Sequence, residues 1–360
     1  MISRLQPMFD KRITHVEEEP LCGISSINNR IALGDNGIDL LKLRFEDGSS
    51  MLCVRKVKSS DIIRNGVRLI GGESLRLKLS MAFHTEILGY RHSAKREVTL
   101  YKELDRPLRR HIILCYGSYY EPGRREYSLI LKYYKNGERE RASLAELKQA
   151  LGAVSAFHKF YYNDVDAARS LGLSMCTPSK YKKSKRCLKL LFHADEEENR
   201  RRFGRERLEK IDRFLDEIDK RAARYKNHLS FTHNDFSLRN IFFFGSRALL
   251  YDFELAAWQT PEHDLIELLI YEAQRLSREE ILELIDCHKS LLLPVSAPLR
   301  QMSRREYGGL LLFNAYEFTV NRLSLLRIAG KLLHEDFTDP LIDGAEKIIS
   351  IIEEAYEQRS

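Results

Sequence analysis

The alternation of apolar and polar positions predicts strands in the first part of the chain. Two β-favouring runs lie on either side of Asp47–Gly48, a residue pair typical of a tight hairpin turn. The apolar spacing in residues 93–104 favours a helix instead. Strands are predicted at residues 38–45, 51–57, 111–120 and 127–134.

The second part of the chain carries clear helix-start signals. A Ser followed three residues later by Glu, ahead of an apolar run, forms a capping box that satisfies backbone N–H groups at a helix start. Such boxes are found at Ser143–Glu146, Ser277–Glu280 and Ser303–Glu306. Residues 208–218 have the apolar spacing of another helix, and residues 230–252 are β-like. The pattern predicts an α+β fold with a β-rich lobe over residues 1–133 and a helical lobe over residues 134–360.

The composition is that of a globular protein and excludes several classes. Of the 360 residues, 43% are hydrophobic and 31% charged, which excludes collagen-like and wholly disordered chains. No apolar run approaches the ~18–20 residues of a membrane-spanning helix, and the first 20 residues lack the apolar core of a secretory signal. The six Cys form no CxxC pair, so we expect no structural zinc site or disulfide framework, and a cytoplasmic setting.

The net charge of +7 is concentrated in one segment. Residues 180–207 contain 11 basic and 5 acidic residues. One interpretation is a solvated, mobile loop with a charged helix start. The other is the edge of a site that attracts an anionic or acidic substrate. Nucleic acid is not expected, because few aromatic residues are interleaved with the basic ones.

Candidate chemistry lies in residues 231–268. Asp235 and Asn240 precede one apolar run, and a second apolar run ends at Asp252. A loop and a hairpin would therefore bring the three side chains together at one end. Carboxylate and amide oxygens are hard ligands that suit Mg²⁺, and a further carboxylate accepts the proton of an attacking hydroxyl.

The sequences HNDFSLRN, YDFELA and HDLIEL resemble the motifs of the aminoglycoside phosphotransferase and choline kinase superfamily. The superfamily pattern is H-x-D-x-x-x-x-N, then D-x-[DE], then D-[LI]. The resemblance covers residues 30–270, and its specific part is residues 233–265. It implies a bilobal, protein-kinase-like fold and a kinase that uses ATP and Mg²⁺.

The resemblance also implies a role for each motif residue. Asp235 is the expected catalytic base, and Asn240 and Asp252 are the expected metal ligands. Three further residues are expected to support the site. His233 would pack beneath the catalytic loop, Glu254 would either support the metal or lie on the surface, and Asp264 would hydrogen-bond the loop from a helix start.

The phosphate-binding cation is harder to place. The superfamily has it at the end of a strand, paired with a helix Glu. Arg55 is the first choice, with Glu97 as its partner, because Arg55 and Cys53 share one face of the strand. Lys56 would point with the apolar side chains and ranks second. Residues 59–91 then resemble an insertion, in which Lys78 lies in a rival strand-like match.

The remaining expectations concern the ligands. Residues 129–137 resemble the hinge between the lobes, with Tyr133 as a candidate contact to the adenine. We expect transfer of the ATP γ-phosphate to a hydroxyl of a small molecule, anionic or polar. Two alternatives stay open: a kinase of Ser/Thr hydroxyls in a peptide, and a nucleotide-binding scaffold without turnover. The oligomeric state is left open.

Overall fold

Five strands form an antiparallel sheet in the first part of the chain, in the order β1-β2-β3-β5-β4. The computed structural model describes residues 1–21, 37–59, 75–84, 89–90, 92–135, 141–333 and 338–357. The strands are β1 (Ile13–Pro20), β2 (Ile38–Phe45), β3 (Ser50–Ser59), β4 (Cys115–Glu121) and β5 (Glu126–Lys132). The predicted hairpin is confirmed, since β2 and β3 pair across a turn in which Gly48 has φ 78°.

One short helix and two longer ones accompany this sheet: α1 (Ile2–Leu5), α2 (Leu75–His84) and α3 (Ser93–Glu103). The helix predicted at residues 93–104 is therefore confirmed. The strand predicted from residue 111 begins later, because Arg106–His111, with Pro107 near its start, forms a 3₁₀ helix. Residues 60–74, 85–88 and 91 of the expected insertion lie outside the described residues.

The two faces of the sheet contact different parts of the protein. One face packs under the N-terminal segment, where Leu5 and Ile13 join Leu41, Cys53 and Ile130 in a small separate core. The other face carries Val54 and Leu129 and belongs to the main core. Apolar side chains are therefore found on both faces of β3.

Helices dominate the second part of the chain. They are α4 (Leu144–Phe160), α5 (Val165–Ser170), α6 (Pro178–Phe192), α7 (Glu196–Arg202), α8 (Arg205–Arg224), α9 (Glu262–Glu272), α10 (Arg278–Leu292), α11 (Ala297–Gln301), α12 (Arg304–Phe318), α13 (Ser324–Leu333) and α14 (Asp339–Ile352). All three predicted capping boxes are present, at the starts of α4, α10 and α12.

Short strands position the motif residues among these helices. β8 (Ile241–Phe244) and β9 (Arg247–Leu250) form the predicted hairpin. β7 (Ser230–Thr232) pairs with β10 (Ala257–Gln259), which also pairs with β6 (Ser174–Met175). The HNDFSLRN motif thus begins where β7 ends, and Asp252 follows β9.

The basic segment is helical, so the interpretation as a mobile loop is wrong. It comprises most of α6, all of α7 and the start of α8. Tyr181, Leu188 and Leu191 share the buried face of α6, which packs against α8. Lys185 and Lys189 reach across to Asp219 and Asp216 on α8, so part of the positive charge is paired locally. None of the described helices combines the length and the apolar character needed to span a membrane.

Candidate active site

The loop between β7 and β8 is held by a pair of its own side chains. The Asn240 amide nitrogen donates to the Asp235 backbone oxygen at 2.8 Å and to its carboxylate Oδ2 at 2.9 Å. Asn240 is buried, whereas 18% of the Asp235 side chain is exposed. The structure therefore brings these two predicted residues together and leaves the Asp235 carboxylate accessible to a substrate.

Asp264, in the first turn of α9, fastens the same loop. Its carboxylate accepts from the backbone N–H groups of His233 at 2.8 Å and Asn234 at 2.9 Å, and from His158 Nε2 at 2.9 Å. The expected hydrogen bonds from Asp264 to the loop are present. Burial acts to raise the pKa of Asp264, but the hydrogen bond and charge of His158 outweigh it and lower that pKa.

His233 is fully buried beneath the loop, where it was expected to pack. Its Nε2 donates to the Tyr251 carbonyl at 2.8 Å, and its ring lies 4.9 Å from the ring of Phe253. The imidazole therefore links the loop to the residue that precedes Asp252, and it has a structural role in this geometry.

Asp252 adopts the left-handed backbone conformation, with φ 64°. That conformation is uncommon for residues other than Gly and is often found at functional sites. The Asp252 carboxylate lies 2.9 Å from Lys56 Nζ and 3.3 Å from Lys58 Nζ. Burial acts to raise the pKa of Asp252, but the two lysines hold it well below its ordinary value.

The cation that pairs with Glu97 is Lys56, so the expected pairing of Arg55 with Glu97 is wrong. Lys56 Nζ donates to the two Glu97 carboxylate oxygens at 2.8 and 3.0 Å, and both side chains are buried. Arg55 instead hydrogen-bonds Asp39 on β2, at 2.8 Å from Nη2, and also pairs with Glu18 on β1.

The expected pairing of Arg55 with Glu97 is wrong because both faces of the sheet are covered by apolar residues. Cys53 and Arg55 do share a face, but it is the face that the N-terminal segment covers. Lys56 and Val54 share the face toward α3 and the main core. Lys78, the rival candidate, was expected in a strand-like segment. It lies on the helix α2 instead and is exposed.

Glu254 is buried, which decides between its two expected positions. Its carboxylate hydrogen-bonds Lys58 Nζ, and its backbone oxygen accepts from Arg96 Nη1 at 2.7 Å. Burial raises the pKa of Glu254 to about 7, against the opposing charge of Lys58. Burial also acts to lower the pKa of Lys58, but the surrounding carboxylates, Asp252 first, raise it.

These side chains fit a divalent metal ion. Carboxylate oxygens of Glu97, Asp252 and Glu254 all lie within 4.8 Å of one another. Asn240 commits its amide nitrogen to Asp235, which leaves its amide oxygen available to a cation. The donor set consists of hard oxygens, as Mg²⁺ prefers.

Sequence reasoning missed two arginines beside the site, Arg96, which is buried, and Arg322, which is mostly buried. Arg96, beside Glu97 on α3, donates to the carbonyls of Glu254 at 2.7 Å, Gly89 at 2.7 Å and Gly172 at 2.8 Å. Arg322 lies 3.9 Å from Asp235 Oδ1 and donates to the backbone oxygen of Asn234. Arg322 belongs to a π-helical turn, Thr319–Leu323, whose position no short motif in the sequence indicates.

The expected hinge, residues 129–137, begins within β5, and its residues 136 and 137 lie outside the described residues. Tyr133 is half-buried there, and its neighbour Tyr134 packs its ring 5.1 Å from Phe242 on β8. The chain therefore passes from the sheet to the helical part beside the motif hairpin. A contact of Tyr133 with adenine stays a prediction.

A family model described as the phosphotransferase enzyme family matches residues 120–286. The match includes every motif residue from His233 to Asp264, and it confirms the resemblance stated from the sequence. No curated protein sequence matches the chain.

Solved structures with the same fold extend over nearly the whole chain. A choline kinase from Cryptosporidium parvum has a TM-score of 0.54 and 12% identity, covering 99% of this chain and 96% of that one. A choline kinase from Streptococcus pneumoniae has a TM-score of 0.50 and 13% identity, with coverage of 98% and 97%. A macrolide 2'-phosphotransferase from Brachybacterium faecium has a TM-score of 0.50 and 11% identity, with coverage of 100% and 97%. The predicted α+β, protein-kinase-like fold is confirmed.

Proposed function

We propose that the chain is an ATP- and Mg²⁺-dependent phosphotransferase that transfers the γ-phosphate of ATP to a hydroxyl group of a small molecule. The observation that carries this proposal is that three parts of the site lie close together: the Lys56–Glu97 pair, Asp252, and the loop that carries Asp235. Lys56, paired with Glu97, lies 2.9 Å from Asp252, while the adjoining loop holds Asp235 against Asn240. Phosphoryl transfer needs mainly such positioning and electrostatic stabilisation.

Each residue then has a defined task. The partly exposed Asp235 orients the acceptor hydroxyl and accepts its proton. Lys56 binds ATP phosphates and is aligned by Glu97. Asn240 and Asp252 would hold Mg²⁺, which neutralises phosphate charge when it is bound. Tyr133 would contact the adenine at the hinge.

Nucleotide and metal binding test the first half of this proposal. A ligand that binds only the folded state raises the melting temperature by mass action. We expect ATP with Mg²⁺ to raise it and EDTA to remove much of the shift. Asp252→Ala should lose the Mg²⁺-dependent part. An unchanged melting curve at millimolar ATP and Mg²⁺ would contradict the proposal.

Transfer from γ-labelled ATP tests the second half. The candidate acceptors offered in this assay are choline-type cations, aminoglycosides, macrolides, anionic polyols and Ser/Thr peptides. Asp235→Asn should lower turnover by about 10²–10⁴ with nucleotide affinity retained. Asp166→Asn, at an exposed position in α5, is the matched control. Labelled peptide alone would favour the peptide kinase, and nucleotide binding without transfer would favour the scaffold.

The acceptor is proposed to be polar or anionic because of the cation beside the base. Arg322 is mostly buried and lies 3.9 Å from Asp235 Oδ1. Burial acts to lower the pKa of Arg322, but nearby groups, among them Tyr90 and Asp235, raise it, so Arg322 stays charged. The thiols of the described cysteines Cys53, Cys115, Cys176 and Cys287 are not joined in disulfides, which accords with the proposed cytoplasmic setting.

A further inference from the structure

Lys58 is a second lysine on the site-facing side of β3, two residues after Lys56. Its ammonium hydrogen-bonds Glu254 Oε2 and lies 3.3 Å from Asp252 Oδ1 and 4.0 Å from Glu97 Oε2. Only 11% of its side chain is exposed. A lysine buried to this degree is retained in its charged form only by carboxylates around it.

The task of Lys58 differs from that of Lys56. Lys56 takes both carboxylate oxygens of Glu97 as hydrogen-bond acceptors, whereas Lys58 donates to Glu254 and, at 3.3 Å, to Asp252. Lys56 therefore makes the hydrogen-bonded pairing with α3, and Lys58 approaches Glu97 only at 4.0 Å. Lys58 pairs instead with the carboxylates of the segment that follows β9, Asp252 and Glu254.

The oxygens around Lys58 are the same ones that would ligate a cation. The cluster of Glu97, Asp252 and Glu254 carries three negative charges when all three are ionised. Lys56 and Lys58 contribute two positive charges. A single negative charge remains within the cluster. Without Lys58 the Glu254 carboxylate would be buried beside Asp252 with no hydrogen-bonded cation, which is unfavourable unless a proton or a metal ion replaces Lys58.

We propose that Lys58 is a built-in cation that takes the place of a second metal ion on Glu254, so that the enzyme loads one divalent ion, at Asp252 and Asn240, together with the nucleotide. The inference rests on the proposed function. It requires the ammonium to stay on Glu254 when metal and nucleotide bind. It also makes Glu254 a latent metal ligand that removal of Lys58 would release.

The test is the number of metal ions bound, measured by Mn²⁺ titration with electron paramagnetic resonance in the presence of a non-hydrolysable ATP analogue. The unaltered protein should bind one Mn²⁺ per bound nucleotide. Lys58→Met should bind a second, and the double variant Lys58→Met, Glu254→Gln should bind one again. Lys42→Met, at a half-exposed lysine on the neighbouring strand, is the matched control and should behave as wild type.

The outcomes separate this inference from the proposed function. Two Mn²⁺ ions bound to the unaltered protein would show that Lys58 is displaced, and would overturn the inference while leaving the kinase proposal intact. This arm needs no variant, so a Lys58→Met protein that fails to fold does not affect it. A second ion absent from folded Lys58→Met would also overturn the inference. No binding of Mn²⁺ and nucleotide to wild type would overturn the proposed function itself.

Discussion

Lys56 and Glu97 form a buried ion pair, with Nζ 2.8 Å from Oε1, that joins β3 to α3. The same ammonium lies 2.9 Å from Asp252, which follows β9 in the second part of the chain. One side chain thus connects the sheet, its helix and the segment that carries Asp252. The position of Lys56 therefore fixes the distance between Glu97 and Asp252.

The first prediction separates Lys56 from Arg55. Lys56→Met should lower kcat by about 10²–10³, the usual effect of removing one preorganised electrostatic contact. Arg55→Met should retain kcat within a few-fold, because Arg55 pairs with Asp39 and Glu18 on the opposite face. Steady-state kinetics of both variants provide the measurement, and a larger loss in Arg55→Met would restore the assignment made from the sequence.

Local signals explain why so much of the fold could be predicted. The Asp47–Gly48 turn and the three capping boxes depend on neighbouring residues alone, and each is present in the structure. The loop motif was equally local, since Asn240 reaches Asp235 over five residues. Spacing in the sequence is sufficient for features of this kind.

The misplaced residues depend on tertiary contacts. Which face of β3 meets the site is decided by the N-terminal segment, where Leu5 covers the face of Cys53. The sequence alone could not favour Lys56 over Arg55 as the partner of Glu97, because it does not show that the N-terminal segment packs on the face of Arg55. Helix α6 was different, because the spacing of Tyr181, Leu188 and Leu191 was a usable helix signal that the dense charge obscured.

The second prediction concerns Asp264. Asp264→Asn should lower the free energy of unfolding by about 3–5 kcal/mol, because it leaves His158 and the loop N–H groups without their buried anion. Chemical denaturation measures this change. Asp212→Asn is the matched control, since Asp212 accepts from His193 at the same 2.9 Å but on the surface, where such a pair contributes about 1 kcal/mol or less.

The pH dependence of the Asp264 contribution has a definite sign. Its folded pKa is lowered, so the stabilisation is complete above the unfolded value of about 3.9. It is lost as the pH falls below that value toward the folded pKa. The stability difference between wild type and Asp264→Asn should therefore shrink below about pH 4. A difference that grows with acidity would contradict the assignment.

The third prediction addresses the exposed basic face of α6. Lys182, Lys183 and Arg186 are exposed and form no ion pair with another described residue. Replacing all three by Gln should raise the KM of an anionic acceptor several-fold and leave the KM of ATP nearly unchanged. Added salt should reduce the difference, because charges on the surface are screened over ~8 Å at physiological ionic strength.

A control for that variant needs the same loss of charge elsewhere. Arg124, Lys220 and Lys226 are also exposed, and they lie on the β4–β5 turn and at the end of α8. Changing these three to Gln should leave both KM values as in wild type. If the two triple variants behave alike, the α6 charges act only through the net charge, or not at all.

The last prediction concerns acid stability and His288 on α10. This imidazole is fully buried, with Nε2 3.4 Å from Nδ1 of His158. Burial, and then the charge of His158, lower the pKa of His288 to about 3. In the unfolded chain the pKa of this imidazole is about 6.5. Between about pH 3 and 6.5 the unfolded state therefore binds a proton that the folded state does not bind. Stability is therefore complete above about pH 6.5 and falls as the pH decreases from there toward about 3.

His288→Asn keeps a polar side chain and removes this titration. Between about pH 6 and 4 the wild-type free energy of unfolding should lose up to about 1.4 kcal/mol per pH unit more than that of the variant. Urea denaturation across this range measures both slopes. His15→Gln, at an exposed position on β1, should keep the wild-type slope. Equal slopes in His288→Asn and wild type would show that the buried imidazole already takes up its proton in the folded state, against the effect of its burial.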